Sequence, residues 1–167
     1  MGTLNIQSGT LNVNNLLGIA ATGAALNLTG GTLNLNNALS ITPTFTQSGG
    51  VLGGSGNLTV SNAFNWSGGS ITGSGSFTTL GTATLSSASD KTLTNRAWSN
   101  QGTLNLTGGR LHLNGASAVL SNAAGALIDV TSNSANSIVG VSGTLNNAGT
   151  IDWNVAGADA IQPNFNN

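Results

Sequence analysis

A short sequence phrase, Gly-Thr-Leu-Asn, recurs along the length of this chain and limits the folds that it can adopt. The phrase begins at Gly2, Gly9, Gly31, Gly102 and Gly143. Within each copy an apolar residue alternates with a small polar one, which is typical of a β-strand that buries one face. A helix is not favoured, because its apolar residues would be three or four positions apart and because Gly, Asn, Thr and Ser are poor residues for a helix interior.

The apolar positions of these strands fall into three columns that share one interval. In every column the first step is as long as the interval from Leu4 to Leu26, and each later step has the shorter length of the interval from Leu26 to Phe45. The first column contains Leu4/Ile6, Leu26/Leu28, Phe45, Phe64/Trp66 and Ala83/Leu85, the second contains Leu11/Val13, Leu33/Leu35, Leu52 and Ile71, and the third contains Leu17/Ile19, Leu39/Ile41, Leu58/Val60 and Phe77. A shared step predicts a coil in which each turn, here called a rung, adds one short strand to each of three faces.

The sequence therefore predicts an all-β fold, a right-handed parallel β-helix (three-faced β-solenoid) of about eight irregular rungs. It occupies residues 1–167 as a single domain. The first column continues less regularly through Leu104/Leu106, Ile128/Val130 and Ile151/Trp153, so the sequence leaves the register of the rungs undetermined after about residue 86. A β-sandwich also uses short alternating strands, but it gives no reason for three columns to change step together.

Turn residues support the coil and predict one further feature, a ladder of side-chain amides. Gly-Gly pairs at 30–31, 49–50, 53–54, 68–69 and 108–109 fall between strands, where corners need unusual backbone angles. The pairs Asn14-Asn15 and Asn36-Asn37 are separated by the same interval as Leu4 and Leu26. Stacked Asn side chains can bond from rung to rung, so we expect an Asn ladder at this corner.

Composition excludes several classes of function. Only 4% of the residues are charged, and the net charge is -1. Lys91, Arg96 and Arg110 are the only fixed cations, so no basic surface is available to neutralise nucleic-acid phosphates. No apolar run approaches the ~20 residues of a transmembrane helix, so we expect no membrane insertion. The absence of Cys excludes disulfides and thiol chemistry.

One segment is a candidate partner contact. Residues 87–100 depart from the repeat and contain Asp90, Lys91 and Arg96, with Trp98 close by. A segment with charged and aromatic side chains, in a rod that otherwise has almost no charge, could contact a partner, because loops on rigid scaffolds often carry function. The alternative is a solvated corner with Trp98 packed against the rod. A second departure, residues 131–137, is interpreted as a corner insertion that lengthens one rung.

Candidate catalytic or metal-binding residues are few. Asp129 and Asp152 are separated by about one rung, and could lie one above the other on an outer face as a weak cation site. His112 is the only histidine, lies in an outward position, and is expected to have no Cys and no acidic residue nearby. We therefore expect no catalytic residues, no cofactor and no enzymatic activity. Asn-X-Ser/Thr triplets at Asn27, Asn57, Asn65 and Asn105 lie in predicted strands and are expected by chance in so Asn- and Thr-rich a chain.

The phrases themselves resemble a known family. Residues 143–151 (Gly-Thr-Leu-Asn-Asn-Ala-Gly-Thr-Ile) resemble the repeats of filamentous-haemagglutinin-type adhesins, and residues 64–75 resemble repeats of autotransporter passenger domains. The resemblance implies a secreted β-helical stalk or adhesive segment at a bacterial cell surface. It transfers no binding residues, because the family's repeats are scaffold. Since Leu4 already belongs to the repeat, we expect a fragment of a longer repeat protein.

We therefore expect a structural or adhesive segment of an extracellular or cell-surface protein, with an unidentified host-surface or glycan partner. A self-assembling fibre subunit that stacks end to end is the main alternative. An ice-binding solenoid is disfavoured because the outward positions Thr10, Thr32, Val51 and Ser70 form an irregular array. A glycan-processing enzyme is disfavoured by the scarcity of acidic residues.

Overall fold

The computed structural model describes residues 2–15, 25–134, 137–140, 142–155 and 160–167. Their regular secondary structure is entirely β, and it forms three parallel sheets that wind around one core. Within these ranges sheet A has eight strands, and sheets B and C have seven each. The strands of each sheet come from successive rungs, which confirms the predicted three-faced parallel β-solenoid.

Each rung is numbered here by its strand in sheet A. Sheet A contains, in spatial order, β1 (Thr3–Ile6), β3 (Ala25–Leu28), β6 (Phe45–Gln47), β9 (Ala63–Trp66), β12 (Thr82–Leu85), β15 (Thr103–Leu106), β18 (Leu127–Val130) and β21 (Thr150–Trp153). Sheet B contains β2 (Thr10–Val13), β4 (Thr32–Leu35), β7 (Val51–Gly53), β10 (Ser70–Thr72), β13 (Lys91–Thr94), β16 (Leu111–Asn114) and β19 (Ile138–Val139). Sheet C contains β5 (Leu39–Ile41), β8 (Leu58–Val60), β11 (Phe77–Thr79), β14 (Ala97–Asn100), β17 (Val119–Asn122), β20 (Thr144–Asn147) and β22 (Asn164–Asn166).

The three predicted columns are the inward faces of the three sheets. In sheet A, Leu4 pairs with Leu26, Leu26 with Phe45, and Phe45 with Phe64. Sheet B joins the second column and sheet C joins the third in the same way. Leu17 and Ile19, predicted to open the third column, lie outside the described residues.

The structure determines the register after residue 86, which the sequence leaves open. Ala83 pairs with Leu104, Leu104 with Ile128, and Ile128 with Ile151, so sheet A continues without a shift. The segment 87–100 is likewise regular, because it contains β13 and β14. The sequence misleads here because rungs absorb extra residues at their corners, which changes the interval but leaves the strand pairing intact.

A tightly packed apolar interior fills the coil. Rungs 3 to 5 stack their aromatic rings: Phe45 and Phe64 have centroids 5.1 Å apart, and Phe77 lies 5.2 Å from Trp98. These side chains are at most 1% exposed. Burial of large apolar side chains is the main source of stability in such a fold.

The glycine pairs form corners, as predicted. The second glycine of each of the five pairs has a positive φ, between 64° and 100°. At Gly50 a side chain would also meet the backbone of the preceding rung, since a Cβ there would lie 2.6 Å from the carbonyl oxygen of Gly31. Glycine is therefore required at this corner by both its backbone angle and its close contact.

Exposed amide ladders connect neighbouring rungs on the outside of the coil. The predicted bond is present, because Asn36 donates from Nδ2 to Oδ1 of Asn14 at 2.7 Å. Two further ladders go beyond the prediction: Asn27 donates to Asn5 at 2.8 Å, and Asn34 donates to Asn12 at 2.9 Å. These bonds lie on the strands themselves, so amide stacking is not confined to the corners.

The prediction that every Asn of the Asn-X-Ser/Thr triplets lies in a strand is wrong for one of them. Asn57 precedes β8, at a corner. Its Oδ1 accepts a hydrogen bond from the main-chain N–H of Ser76 in the next rung at 2.9 Å. This side chain therefore connects two corners instead of belonging to a strand face.

A second kind of amide ladder lies inside the coil, where the sequence predicts only apolar residues. It lies at the last inward position of sheet C. In rungs 3 and 4 this position holds Val60 and Thr79, which precede the ladder. Asn100 and Asn122 continue it and are at most 1% exposed, and Asn147 follows them. This buried ladder joins sheet C to sheet A, because each Asn also donates to a carbonyl oxygen at or beside the start of a sheet A strand.

Candidate functional site

Three of the four side chains proposed as a partner contact point into the core. Lys91 and Arg96 are 0% exposed and Trp98 is 1% exposed, whereas Asp90 reaches solvent. Lys91 and Trp98 occupy inward positions of β13 and β14, and Arg96 lies at the corner between these two strands. A partner could therefore contact this segment through Asp90 but not through the other three side chains.

Lys91 is held by main-chain oxygens instead of a carboxylate. Its Nζ donates to the carbonyl oxygens of Gly108 at 2.9 Å and Ser87 at 3.1 Å. Burial lowers the pKa of Lys91 below its usual value, and the nearby charge of Asp90 partly opposes this. The ammonium thus satisfies carbonyls at the corner between sheets A and B.

Arg96 has the same role at the corner between sheets B and C. Its guanidinium donates to the carbonyl oxygens of Gly56 at 2.7 Å and Thr72 at 2.9 Å, which belong to rungs 3 and 4. Gly56 and Gly75 occupy the equivalent positions of those rungs, so no side chain competes with Arg96 for this part of the corner. Burial lowers the pKa of Arg96 to about 10.

On the outside of the corner between sheets A and B, Asp90 forms a charged cluster with two residues of the next rung. Arg110 donates from Nη2 to Asp90 Oδ2 at 2.6 Å and from Nε to the same oxygen at 3.0 Å. His112 Nε2 lies 3.0 Å from that oxygen. The hydrogen bonds from Arg110 are the main reason why the pKa of Asp90 falls to about 2, with desolvation opposing them.

The expectation that His112 has no acidic neighbour is wrong in three dimensions. Lys91 pairs with Leu111 and Thr92 with His112 across adjacent rungs, which brings Asp90 next to Arg110 and His112. The sequence signal that could have revealed this contact is the separation of Asp90 and His112 along the chain, which is about one rung.

Residues 131–134 of the predicted corner insertion lie beside this cluster, whereas residues 135 and 136 are outside the described residues. Leu111 pairs with Ile138, which is the longest step along the chain between paired strands in the described residues. Ser132 is buried and its Oγ donates to the carbonyl oxygen of Gly109 at 3.0 Å. The exposed charges and the irregular loop therefore share one corner, the charged corner, defined by Asp90, Arg110, His112 and residues 131–134.

Asp129 and Asp152 lie one above the other, as predicted. They are direct partners in the register of β18 and β21, and Asp152 is exposed. Asn154 donates to Asp129 Oδ1 at 3.4 Å. Within the described ranges, no cluster of three or more His, Cys, Asp or Glu residues could hold a metal ion. The hypothesis of a cation site therefore rests on the two stacked carboxylates of Asp129 and Asp152, and it stays a prediction.

The architecture defines the chain as a three-faced parallel β-solenoid with one charged corner. The described part of the chain contains no helix with the length and hydropathy that a bilayer span requires. No protein-family model, curated protein or solved structure matches this chain.

Proposed function

We propose that this chain is a rigid, non-enzymatic segment of a secreted bacterial surface protein, which projects other parts of that protein from the cell. The observation that carries the proposal is the unbroken parallel pairing of sheet A through eight rungs around a filled core. Such a stack resists bending because every rung is hydrogen-bonded to its neighbours. The resemblance to adhesin and autotransporter repeats supports the same role.

The charged groups also favour a structural role over a catalytic one. Asp90, Arg110 and His112 are engaged with one another, and Lys91 and Arg96 bind main-chain carbonyl oxygens. A catalytic acid or base must be free to exchange a proton with a substrate, whereas each of these groups is engaged by other groups of the protein. We assign the charged corner the role of a contact surface for a host protein or glycan, because Asp90, Arg110 and His112 reach solvent there beside the loop of residues 131–134.

The test is surface detection on the source organism. Antibodies raised against the purified chain should label intact cells, and brief protease treatment of those cells should remove the label. An antigen that becomes detectable only after lysis would overturn the proposed location.

The role of the charged corner has its own test. A double variant of the purified chain, Asp90→Asn with Arg110→Gln, should lose binding to host cells or glycans that the unaltered chain binds. The variant keeps side chains of similar size, so the fold should be preserved. Unchanged binding would exclude the charged corner as the contact.

A fibre subunit that stacks end to end is a second candidate. The observation that favours it is the apolar surface at the last rung, where Ile151, Trp153 and Ile161 are only partly buried and Phe165 is 44% exposed. Light scattering of the purified chain over a wide concentration range distinguishes the two roles. Growing filaments that Phe165→Asp prevents would favour the fibre, and a strictly monomeric particle would exclude it.

A further inference from the structure

One column of outward side chains on sheet A brings together residues that are far apart along the chain. In rungs 1 to 6 the column consists of small polar residues at directly paired positions, and we name it the amide column. Its members are Asn5, Asn27, Thr46, Asn65, Thr84 and Asn105.

Three of the four Asn-X-Ser/Thr triplets begin in this column, and they begin on alternate rungs. Asn27 belongs to rung 2, Asn65 to rung 4 and Asn105 to rung 6, with Thr46 and Thr84 between them. Neighbouring rungs are ~4.8 Å apart, so successive triplets are separated by about 10 Å. A pyranose ring on each Asn fits that separation, whereas rings on adjacent rungs would collide.

These residues occupy outward positions of sheet A, where Asn65 is exposed and Asn27 and Asn105 are half-buried. Neither Asn65 nor Asn105 makes a side-chain hydrogen bond within the described residues. Asn27 uses one N–H of its amide to bond Asn5, which leaves its second N–H for solvent. A substituent on any of these nitrogens would therefore extend away from the coil without disturbing the core.

We propose that Asn27, Asn65 and Asn105 are N-glycosylation sites that place sugars along one face of the solenoid. The inference rests on the proposed export of the chain. In the reaction, the Asn side-chain nitrogen attacks the anomeric carbon of a sugar carried on a nucleotide or lipid diphosphate. The N–C bond forms, the C–O bond to the diphosphate breaks with its electron pair, and the amide nitrogen loses one proton to a base of the glycosyltransferase.

The fold sets the order of events. In the finished coil the backbone of each triplet is paired with strands on both sides, so a transferase cannot draw it into an extended active-site conformation. The sugar is therefore added to the unfolded chain, and the outward direction of the amide column allows folding to follow.

The experiment is peptide mass spectrometry, with electron-based fragmentation, of the chain recovered from the surface of the source organism. We expect a hexose or larger increment on Asn27, Asn65 and Asn105. Ser67→Ala should abolish the increment on Asn65 alone, because it removes the triplet hydroxyl and leaves Asn65 in place. Ser67 makes no side-chain hydrogen bond in the described residues, so this variant should fold; Thr84→Ala in the same column is the matched control and should change no increment.

Unmodified Asn27, Asn65 and Asn105 on chain recovered from the cell surface would overturn this inference and leave the proposed function standing. Modification of Asn5, which begins no triplet, or an increment on Asn65 that survives Ser67→Ala, would overturn the role of the triplets. Chain found only inside the cell would instead overturn the proposed function, so the two failures are distinguishable.

Discussion

Asn100 and Asn122 occupy one inward position in successive rungs, and Nδ2 of Asn100 donates to Oδ1 of Asn122 at 2.9 Å in the core. The same hydrogen-bonding direction continues from Asn122 to Asn147 at 2.8 Å and from Asn147 to Asn167 at 2.6 Å. Each buried amide fills the place of an apolar side chain, so its polar atoms must be satisfied within the coil. The ladder achieves this because every rung repeats the same geometry.

Replacing Asn122 with Ala should destabilise the protein by about 2–4 kcal/mol, since it leaves buried polar groups without partners. The lost bonds include those to the carbonyl oxygen of Thr150 and to Asn147. Urea unfolding followed by circular dichroism measures the change. Asn34→Ala removes an exposed ladder bond of similar length and should cost less than about 1 kcal/mol. Equal losses of unfolding free energy in the two variants would contradict the prediction that a buried amide contributes more to stability than an exposed one.

Arg96→Met should destabilise the fold by about 3 kcal/mol, because the apolar stem is kept while the carbonyl oxygens of Gly56 and Thr72 lose their donor. Arg96→Lys should lose part of the same stability, since a compact ammonium lacks the planar, forked donors with which the guanidinium binds the two carbonyl oxygens. Thermal unfolding is the measurement. Arg110→Met, which removes an exposed guanidinium, is the control and should change the melting temperature little. A stabilised Arg96→Met variant would show that desolvation of the charge outweighs its hydrogen bonds.

Gly50→Ala and Gly9→Ala separate backbone strain from steric contact. Both glycines have a left-handed φ, 68° and 72°. Ala should cost about 1–2 kcal/mol at either position for this reason. A Cβ at Gly9 meets nothing within 4 Å, whereas a Cβ at Gly50 lies 2.6 Å from the backbone of Gly31. We expect Gly50→Ala to lose about 1–3 kcal/mol more than Gly9→Ala in chemical unfolding. Similar losses would show that the rungs can move apart.

The ion pair at the charged corner predicts a small acid sensitivity. Because the pKa of Asp90 is lowered from 3.8 to about 2 in the folded protein, its contribution is fully present above the unfolded-state value and is lost as the pH falls through about 2. The pair is exposed, so it should contribute no more than about 1 kcal/mol. The difference in free energy of unfolding between the unaltered chain and Asp90→Asn should therefore shrink between pH 4.5 and pH 2. A difference that grows on acidification would contradict this assignment.

Much of the fold could be predicted because it depends on local alternation and a shared interval. Leu26, Phe45 and Phe64 are recognised as one column from their spacing alone. The candidate site could not be predicted in the same way. The sequence suggests that Lys91, Arg96 and Trp98 are available to a partner, because charged residues usually lie on the surface. The structure buries them, since the carbonyl oxygens of two corners provide acceptors for the two cations.

The three faces, the parallel stacking and the glycine corners follow from the order of residues along the chain, because a period of two within strands and one common step between them allow no other simple packing. The stacking of the folded rungs is what brings particular polar residues into the core and particular charges together. Asp90 and His112 are 22 residues apart in the chain, yet their side chains are within hydrogen-bonding distance. The physical reason is that residues one rung apart along the chain lie only one strand spacing apart in space. The number of residues in each corner then determines which side chains of neighbouring rungs lie next to each other.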